Sequence, residues 1–253
     1  MKVVKIVFSP TGGTEKVADI VANNISTENT NIDLCNSNMD FKNVDIDKND
    51  MVVIALPSYG GRAPEVAIHR LKEIKGNSAK CIIICVYGNR AYEDTLVEME
   101  DVAKECGFNV IAAISAIAEH SIMHQYATNR PDKEDEKQLA NFVETILNNK
   151  EHSNSIIPGN RPYKKSMSAM IIPKPTKDCV KCGICAKECP VKAINNEDYK
   201  ADPKICISCM RCVKVCPHNA RKVNNTLVSI AAKAIKKECE IRKENELFLL
   251  SGE

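Results

Sequence analysis

Hydrophobic residues in the first 150 positions form short continuous runs separated by longer amphipathic stretches. Four runs rich in Val and Ile predict buried strands at 3–8, 50–56, 80–86 and 110–116, and a weaker run predicts one at 31–35. Helical periodicity occupies the intervals, at 15–24, 64–74, 93–106 and 131–147. Apolar strands that alternate with helices are typical of a parallel sheet covered on both faces. We therefore predict an α/β domain at 1–150, a doubly wound five-stranded parallel sheet in the order 2-1-3-4-5.

The pattern changes after residue 150. Pro158, Gly159 and Pro162 mark an irregular linker at 151–172, which we expect to be solvated, the alternative being that its basic residues dock an acidic partner or pin the two domains together. A cysteine-rich segment at 173–224 predicts a second, smaller domain. The remaining residues, 225–253, predict a C-terminal helix and tail.

Composition and charge narrow the class of protein. The chain has 253 residues, 44% of them hydrophobic and 27% charged, which is typical of soluble globular proteins. No apolar run reaches the roughly 20 residues that a membrane span needs. Residues 1–8 lack the features of a signal peptide, so a cytoplasmic location is expected. The net charge of +2 provides no general attraction to nucleic acid or acidic lipid, and we predict neither as a partner.

Eight of the thirteen cysteines form a repeated motif, Cys-x2-Cys-x2-Cys-x3-Cys-Pro. The first copy contains Cys179, Cys182, Cys185 and Cys189, and the second contains Cys206, Cys209, Cys212 and Cys216. The fixed displacement of 27 residues between the copies indicates an internal repeat. Three thiolates at this spacing can surround three corners of an iron–sulfur cube, while the fourth lies about one helical turn further on.

In two-cluster ferredoxins the fourth cysteine of each run ligates the other cluster. The prediction is one [4Fe–4S] cluster on Cys179, Cys182, Cys185 and Cys216, and a second on Cys206, Cys209, Cys212 and Cys189. The alternative is a pair of structural zinc sites, although these use two cysteine pairs set well apart. The segment 173–223 resembles bacterial two-[4Fe–4S] ferredoxins, which implies a small α+β domain that transfers electrons.

The first predicted strand runs directly into a loop rich in glycine and hydroxyl groups. This loop contains Ser9, Thr11, Gly12, Gly13 and Thr14, and a helix follows it. Backbone N–H groups in such a loop point inward, and the helix dipole adds positive potential. The loop has neither the lysine of a Walker motif nor the dinucleotide-binding glycine pattern. We expect it to bind a monoester phosphate such as that of FMN, the alternative being an ordinary glycine-rich turn.

Two further loops follow predicted strands at the same edge of the sheet. The first contains Pro57, Ser58, Tyr59, Gly60 and Gly61, and the second contains Tyr87, Gly88, Asn89, Arg90 and Tyr92. Aromatic rings beside glycines suit the wall of a flat ring system, because the backbone can approach its polar edge. Ligands of open α/β sheets bind at this edge. We therefore predict that these residues contact the isoalloxazine ring of FMN.

The three loops resemble those of flavodoxins, and the whole chain resembles the flavodoxin–ferredoxin fusion proteins of anaerobic bacteria. The resemblance implies a flavodoxin-like FMN domain followed by a ferredoxin domain with two clusters. It also implies that the segment after the fifth strand, which contains His120, closes over the flavin. His120 is then a candidate proton relay, the alternative being a hydrogen-bonded loop histidine. Arg62 and Arg90 depart from the acidic face of many flavodoxins and are expected to raise the flavin's potential.

These features predict an electron-transfer protein that exchanges single electrons between two clusters and FMN, and whose partners are redox proteins or a small electron acceptor. An alternative is an FMN-dependent reductase of a small substrate, fed by the clusters. A third is a scaffold or sensor whose first domain binds no flavin. A flavin site serves either a carrier or a reductase, and the sequence shows no unmistakable acid–base pair.

Overall fold

The computed structural model describes residues 2–149, 155–166 and 171–251. Its strands are β1 (Val3–Val7), β2 (Asn29–Asp33), β3 (Met51–Pro57), β4 (Lys80–Tyr87), β5 (Asn109–Ile117), β6 (Lys174–Pro175), β7 (Arg221–Lys222) and β8 (Glu246–Leu249). The larger sheet has the order β2-β1-β3-β4-β5-β8. β1 to β5 are parallel, which confirms the predicted order 2-1-3-4-5.

The sixth strand of this sheet was not predicted. β8 lies in the expected C-terminal tail but pairs antiparallel with β5, with Glu246 opposite Ser115. Leu247 and Leu249 pack on one face of the sheet and Phe248 on the other. The strand therefore covers an edge whose backbone groups would otherwise be open to pairing.

Four helices cover the two faces of the sheet: α1 (Gly13–Ile25), α2 (Glu65–Leu71), α3 (Thr95–Glu105) and α4 (Lys133–Asn148). α1 and α4 bury Val17, Val21, Leu139 and Val143 against one face. α2 and α3 bury Leu71, Leu96 and Met99 against the other. The two apolar layers fix the strands, and the loops after β1, β3 and β4 emerge at the carboxyl edge.

The smaller α+β domain is also present. It contains two one-turn helices, α5 (Ile184–Lys187) and α6 (Arg211–Lys214), and the antiparallel pair of β6 and β7. Its buried cluster consists of Cys185, Cys189, Ala193, Ile194 and Cys212. Three of these five residues are cysteines, so the packing of this domain depends on what the thiols bind.

The linker is bound to the first domain where the structure describes it, contrary to the expectation of a solvated segment. Arg161 forms ion pairs with Glu100 and Asp101, and Lys164 forms one with Glu93. These carboxylates lie on or beside α3, which attracts the basic linker. The linker residues 151–154 and 167–170 lie outside the described part of the chain.

The last helix, α7 (Asn225–Cys239), returns the chain to the first domain. Asn224 caps it by accepting hydrogen bonds from the N–H groups of Thr226 and Leu227. On its inner face, the Tyr126 hydroxyl donates to the Ala232 carbonyl at 2.7 Å. Among the described residues, no helix has the length and apolar character required to cross a bilayer.

Candidate cofactor sites

Two cavities lie in the smaller domain. The first is lined by Cys179, Cys182, Cys185 and Cys216. The second is lined by Cys189, Cys206, Cys209 and Cys212. The fourth cysteine of each motif thus lies with the first three of the other motif, which is the grouping expected for two clusters.

Equivalent local geometry brings the third cysteine of each motif into its cavity. Gly183 and Met210, 27 residues apart, both adopt the left-handed conformation, with φ of 79° and 62°. Each is the residue before a one-turn helix, and each helix directs a buried cysteine inward, Cys185 in α5 and Cys212 in α6. A left-handed methionine costs about 1–2 kcal/mol, so the loop geometry is maintained against local preference.

The fourth cysteines also have matching surroundings. The Ala193 N–H donates to Cys189 Sγ at 3.3 Å, and the Ala220 N–H donates to Cys216 Sγ at 3.3 Å. Hydrogen bonds of this kind stabilise a thiolate and tune the metal group that it binds.

The shape of the cavities distinguishes between zinc and iron–sulfur clusters. Within the described residues, no group of three or more His, Cys, Asp or Glu side chains is arranged to hold a single metal ion. Zinc would bring its thiolates to about 2.3 Å from one centre. Each cavity is instead lined by four cysteines. They fit a larger group with thiolate ligands, such as a [4Fe–4S] cluster.

Arg221 is a buried residue beside the cavities that the sequence analysis missed. Its guanidinium donates to the Tyr199 carbonyl at 2.6 Å and the Pro173 carbonyl at 2.9 Å. The sequence feature that could have identified Arg221 is its position within the internal repeat. Arg221 follows Cys216 by five residues, as Ile194 follows Cys189, so a charged residue replaces an apolar one.

The loop between β1 and α1 has the geometry expected of a phosphate site. Gly12 precedes the helix with φ of 96°, and a Cβ built there would meet no atom within 4 Å. Ser9 Oγ accepts a hydrogen bond from the Glu15 N–H at 2.9 Å, which holds the loop against the first helical turn. Thr11 and Gly13 are half-buried and Thr14 is buried. The open loop, the N–H groups at the start of α1 and the helix dipole together fit an anionic phosphate.

The loop after β3 is a tight turn. The Tyr59 N–H donates to the Arg62 carbonyl at 2.8 Å, and Gly60 and Gly61 have φ of 63° and 88°. A Cβ on Gly61 would lie 1.9 Å from Glu93 Oε2, so no side chain fits there. Pro57 ends β3, and the Ser58 hydroxyl lies 2.7 Å from the Thr95 hydroxyl.

The loop after β4 is held by the C-terminal segment. The rings of Tyr87 and Tyr92 contact each other edge-to-face at 5.3 Å, and the Tyr92 hydroxyl donates to Glu246 at 2.8 Å. Asn89 Nδ2 donates to the carbonyls of Cys239 and Ile241 at 2.8 and 2.9 Å. These side chains thus contact α7 and β8, and their role in contacting a flavin stays a prediction.

The two arginines of these loops are paired with glutamates. Arg62 forms two hydrogen bonds with Glu98, at 2.8 and 2.5 Å, and Arg90 contacts Glu93 at 2.8 Å. The paired carboxylates offset the positive charge that these loops were expected to bring to a flavin. Any increase in flavin potential from the arginines is correspondingly smaller.

His120 is tied into the loop after β5. Its Nδ1 accepts hydrogen bonds from the N–H groups of Ile122 and Met123, both at 3.2 Å. The ring lies against Gly88, where a Cβ would be 2.7 Å from His120 Cδ2. Burial lowers the pKa of His120 to about 4, and the positive charges of His124 and Arg90 contribute. The side chain is therefore neutral at pH 7 and organises its loop, and a role as proton relay stays a prediction.

The loop after β3 also lies beside the second cysteine cavity. Burial raises the pKa of the Tyr59 phenol well above its usual value, and the neighbouring Cys209 and Cys35 thiols raise it further. Arg70 spans the two domains, since its guanidinium donates to the carbonyls of Leu34 and Pro190, both at 2.6 Å. A predicted flavin loop and a predicted cluster cavity are therefore direct neighbours.

Residues 178–221 match the model of the 4Fe–4S dicluster domain family. No curated protein sequence matches the chain.

Several solved structures are similar to the first domain. A flavodoxin from Streptococcus pneumoniae TIGR4 is 18% identical with a TM-score of 0.39, and the match covers 58% of this chain and 96% of that one. Rubredoxin oxygen:oxidoreductase from Desulfovibrio gigas is 17% identical with a TM-score of 0.43, over 57% of this chain and 35% of that one. The two-electron reduced flavodoxin of Megasphaera elsdenii is 16% identical with a TM-score of 0.37, and the match covers 55% of this chain and 97% of that one.

The strand order of the sheet itself gives the fold of the first domain. The chain thus joins an α/β domain with the flavodoxin strand order to a segment that resembles the 4Fe–4S dicluster domain family.

Proposed function

We propose that this protein transfers single electrons between two [4Fe–4S] clusters and a bound FMN. The observation that carries the proposal is the pair of four-cysteine cavities, the second of which lies beside the loop that contains Tyr59. Cofactors in such an arrangement lie close enough for direct transfer, and the protein sets their separation and surroundings.

The eight cysteines would hold the clusters as crossed sets. Cys179, Cys182, Cys185 and Cys216 would ligate the first cluster, and Cys189, Cys206, Cys209 and Cys212 would ligate the second. Because each motif contributes to both cavities, neither cluster can shift without the other. The crossing thereby fixes the distance between the two redox centres.

The three loops of the first domain would hold FMN. Ser9, Thr11, Gly12, Gly13 and Thr14 would bind its phosphate through hydroxyl and N–H groups. Pro57, Ser58, Tyr59, Gly60, Gly61, Tyr87, Gly88, Asn89, Arg90 and Tyr92 would surround its ring. Bound there, FMN exchanges one or two electrons, which allows conversion between two-electron and one-electron transfer.

The two cavities differ in exposure, which indicates where electrons would be exchanged with partners. Cys182 of the first cavity is exposed, whereas Cys209 of the second is buried near Tyr59. Redox proteins or a small electron acceptor would therefore exchange electrons at the first cavity. The second cavity would connect it to the flavin loops.

The carrier hypothesis is favoured over the reductase hypothesis. A reductase needs side chains free to bind substrate or donate a proton beside the flavin. Arg62 and Arg90 are paired with glutamates, and His120 Nδ1 accepts two backbone hydrogen bonds. These three side chains are therefore already engaged in hydrogen bonds within the protein.

The test is to purify the protein without oxygen and to measure FMN, iron and sulfide per chain. We expect about one FMN with about eight iron and eight sulfide, as two cubes require. Eight iron without FMN would limit the redox chemistry to the smaller domain and refute the flavin half of the proposal. Fewer than about four iron, or zinc in the cysteine sites, would refute the cluster half.

A matched pair of variants tests the phosphate loop. Gly12 and Gly107 both have positive φ, 96° and 81°, and a Cβ at Gly107 would meet only one atom within 4 Å, at 3.9 Å. Gly12→Val should weaken FMN binding at least about tenfold, because valine is strained in that conformation and narrows the loop. Gly107→Val carries the same backbone strain away from the loop. Equal FMN affinities of the two variants, measured by flavin fluorescence quenching, would contradict the assignment.

A further inference from the structure

Arg221 lies in the interior of the smaller domain with only 2% of its surface exposed. Its guanidinium lines the first cavity, with Nη1 3.8 Å from Cys185 Sγ. The same guanidinium also interacts electrostatically with Cys212 of the second cavity. One cation thus reaches the third cysteine of both motifs.

The hydrogen bonds of this guanidinium are incomplete. Nη1 and Nη2 donate to the carbonyls of Tyr199 and Pro173, but the buried Nε has no acceptor among the described residues. Leaving a buried donor of a charged group unsatisfied is unfavourable, because the donor loses its hydrogen bonds to water without gaining another. An acceptor supplied by a group in the cavity would remove that cost.

Burying a cation is itself unfavourable unless negative charge lies near it. Within the part of the chain that the structure describes, the Arg221 guanidinium contacts two carbonyls and Cys185, and no carboxylate pairs with it. The groups available to balance its charge are the cysteine sulfurs, which are anionic as metal ligands. The arginine is therefore directed at the contents of the cavities.

The internal repeat shows that the fold alone does not require this arginine. Ile194 occupies the corresponding position in the first motif and is also buried, with 7% exposure. An apolar side chain at this position is compatible with the same loop and the same hydrogen bond from the residue before it, Ala193 or Ala220. The charged residue is present in one half of the repeat only.

We propose that Arg221 is a positioning residue that holds Cys185 and Cys212 and raises the reduction potentials of both clusters. The inference rests on the proposed function, since it requires that the eight cysteines hold clusters. Reduction adds one electron, and one negative charge, to a cluster. A fixed cation within hydrogen-bond distance of a ligand sulfur stabilises that added charge, and the low dielectric of the interior strengthens the effect.

The experiment compares the reduction potentials of four proteins by titration monitored with electron paramagnetic resonance: the wild type, Arg221→Gln, Arg221→Lys and Lys222→Gln. Lys222 is the matched control, because it is adjacent in sequence but exposed. Arg221→Gln should shift the reduction equilibrium of both clusters about tenfold toward the oxidised form, which is 59 mV for a one-electron couple. Arg221→Lys should shift the two potentials less, because lysine keeps the positive charge but lacks the forked hydrogen-bond donors of the guanidinium. Lys222→Gln should shift them least, since water screens its charge.

Each outcome decides the inference. Shifts for Arg221→Gln no larger than those for Lys222→Gln would overturn it. If Arg221→Gln does not retain iron, the comparison is made with Arg221→Lys. The shift in reduction potential of Arg221→Lys must then still exceed that of Lys222→Gln. If neither Arg221 variant retains about eight iron, the residue is purely structural and the inference fails. A wild-type protein that itself lacks about eight iron refutes the proposed function instead.

Discussion

The two domains of this chain are stabilised by different means. The sheet domain buries two extensive apolar layers, which include Ile6, Ile54 and Ile83 on one face and Val53 and Ile82 on the other. The smaller domain has a buried cluster of five residues, of which three are cysteines. We therefore expect hydrophobic burial to stabilise the first domain without a cofactor, and the second domain to need the groups that its cysteines bind.

Charge separates the same two regions. Residues 1–150 contain 16 basic and 22 acidic residues, a net charge of −6, whereas residues 173–224 contain 11 basic and 5 acidic residues, a net charge of +6. A basic environment suits clusters ligated by anionic thiolates. The opposite signs also attract the two domains to each other. The small overall charge of +2 conceals this asymmetry.

Removing iron should have the largest effect on folding, because it removes the groups bound by the cysteines and leaves the hydrophobic core of the sheet domain intact. After chelation of iron under anaerobic conditions, the segment 178–221 should lose its fold and become readily cleaved by trypsin at its many lysines. The sheet domain should stay resistant, since its core contains no cluster ligand. Peptide mass spectrometry of the digest measures both regions at once.

The matched control for this treatment is the same protein digested with its iron retained. Equal cleavage of the smaller domain before and after chelation would show that its apolar contacts suffice for folding. Equal loss of both domains would show that they unfold as one unit. Either result would contradict the proposal that the two domains are stabilised by different means.

Substitution of a crossing cysteine should have the next largest effect. Cys189→Ala removes a residue of the first motif, but its side chain lies in the second cavity. Cys206, Cys209 and Cys212 should therefore become reactive toward iodoacetamide, while the cysteines of the first cavity stay protected. Alkylation mapped by mass spectrometry distinguishes the two sets.

Cys216→Ala is the mirror-image variant and should expose Cys179, Cys182 and Cys185 instead. Cys106→Ala, at a cysteine far from both motifs in sequence, should change neither set. If Cys189→Ala exposed the remaining cysteines of its own motif, the crossed assignment would be wrong.

A smaller effect is expected from the pH dependence of the loop after β5. The pKa of His120 is about 4 in the folded protein and 6.5 in an opened loop, so the opened state binds more protons between these values. The free energy of opening should be constant above pH 6.5. It should fall as the pH decreases toward 4, by at most about 1.4 kcal/mol per pH unit. Hydrogen exchange of the Ile122 and Met123 amides, corrected for the intrinsic rate, measures it.

His120→Gln should abolish this slope, because glutamine does not titrate. His69→Gln, at an exposed histidine on α2, should leave it unchanged. A slope that persists in His120→Gln would assign the pH dependence to another group and leave His120 without this role.

Much of the fold follows from local features of the sequence. The parallel strands are continuous apolar runs, because both of their faces are buried, and this pattern predicted the strands. Their order followed from the common doubly wound topology and is confirmed. The dicluster segment was recognisable because cysteine spacing within a loop is a local property. β8 was not predicted, because a strand of four residues is too short to show a periodic pattern.

The contacts of individual side chains depended on the tertiary structure. Tyr87 and Tyr92 were expected at a flavin, but β8 supplies Glu246 as the partner of the Tyr92 hydroxyl. Arg221 looked like one basic residue among many until folding buried it beside Cys185. Propensity and cysteine spacing act over a few residues, so the sequence was sufficient to predict the parallel strands, their helices and the cysteine repeat. The contacts of Tyr92 with Glu246 and of Arg221 with Cys185 required the folded structure, because these partners lie 154 and 36 residues apart along the chain.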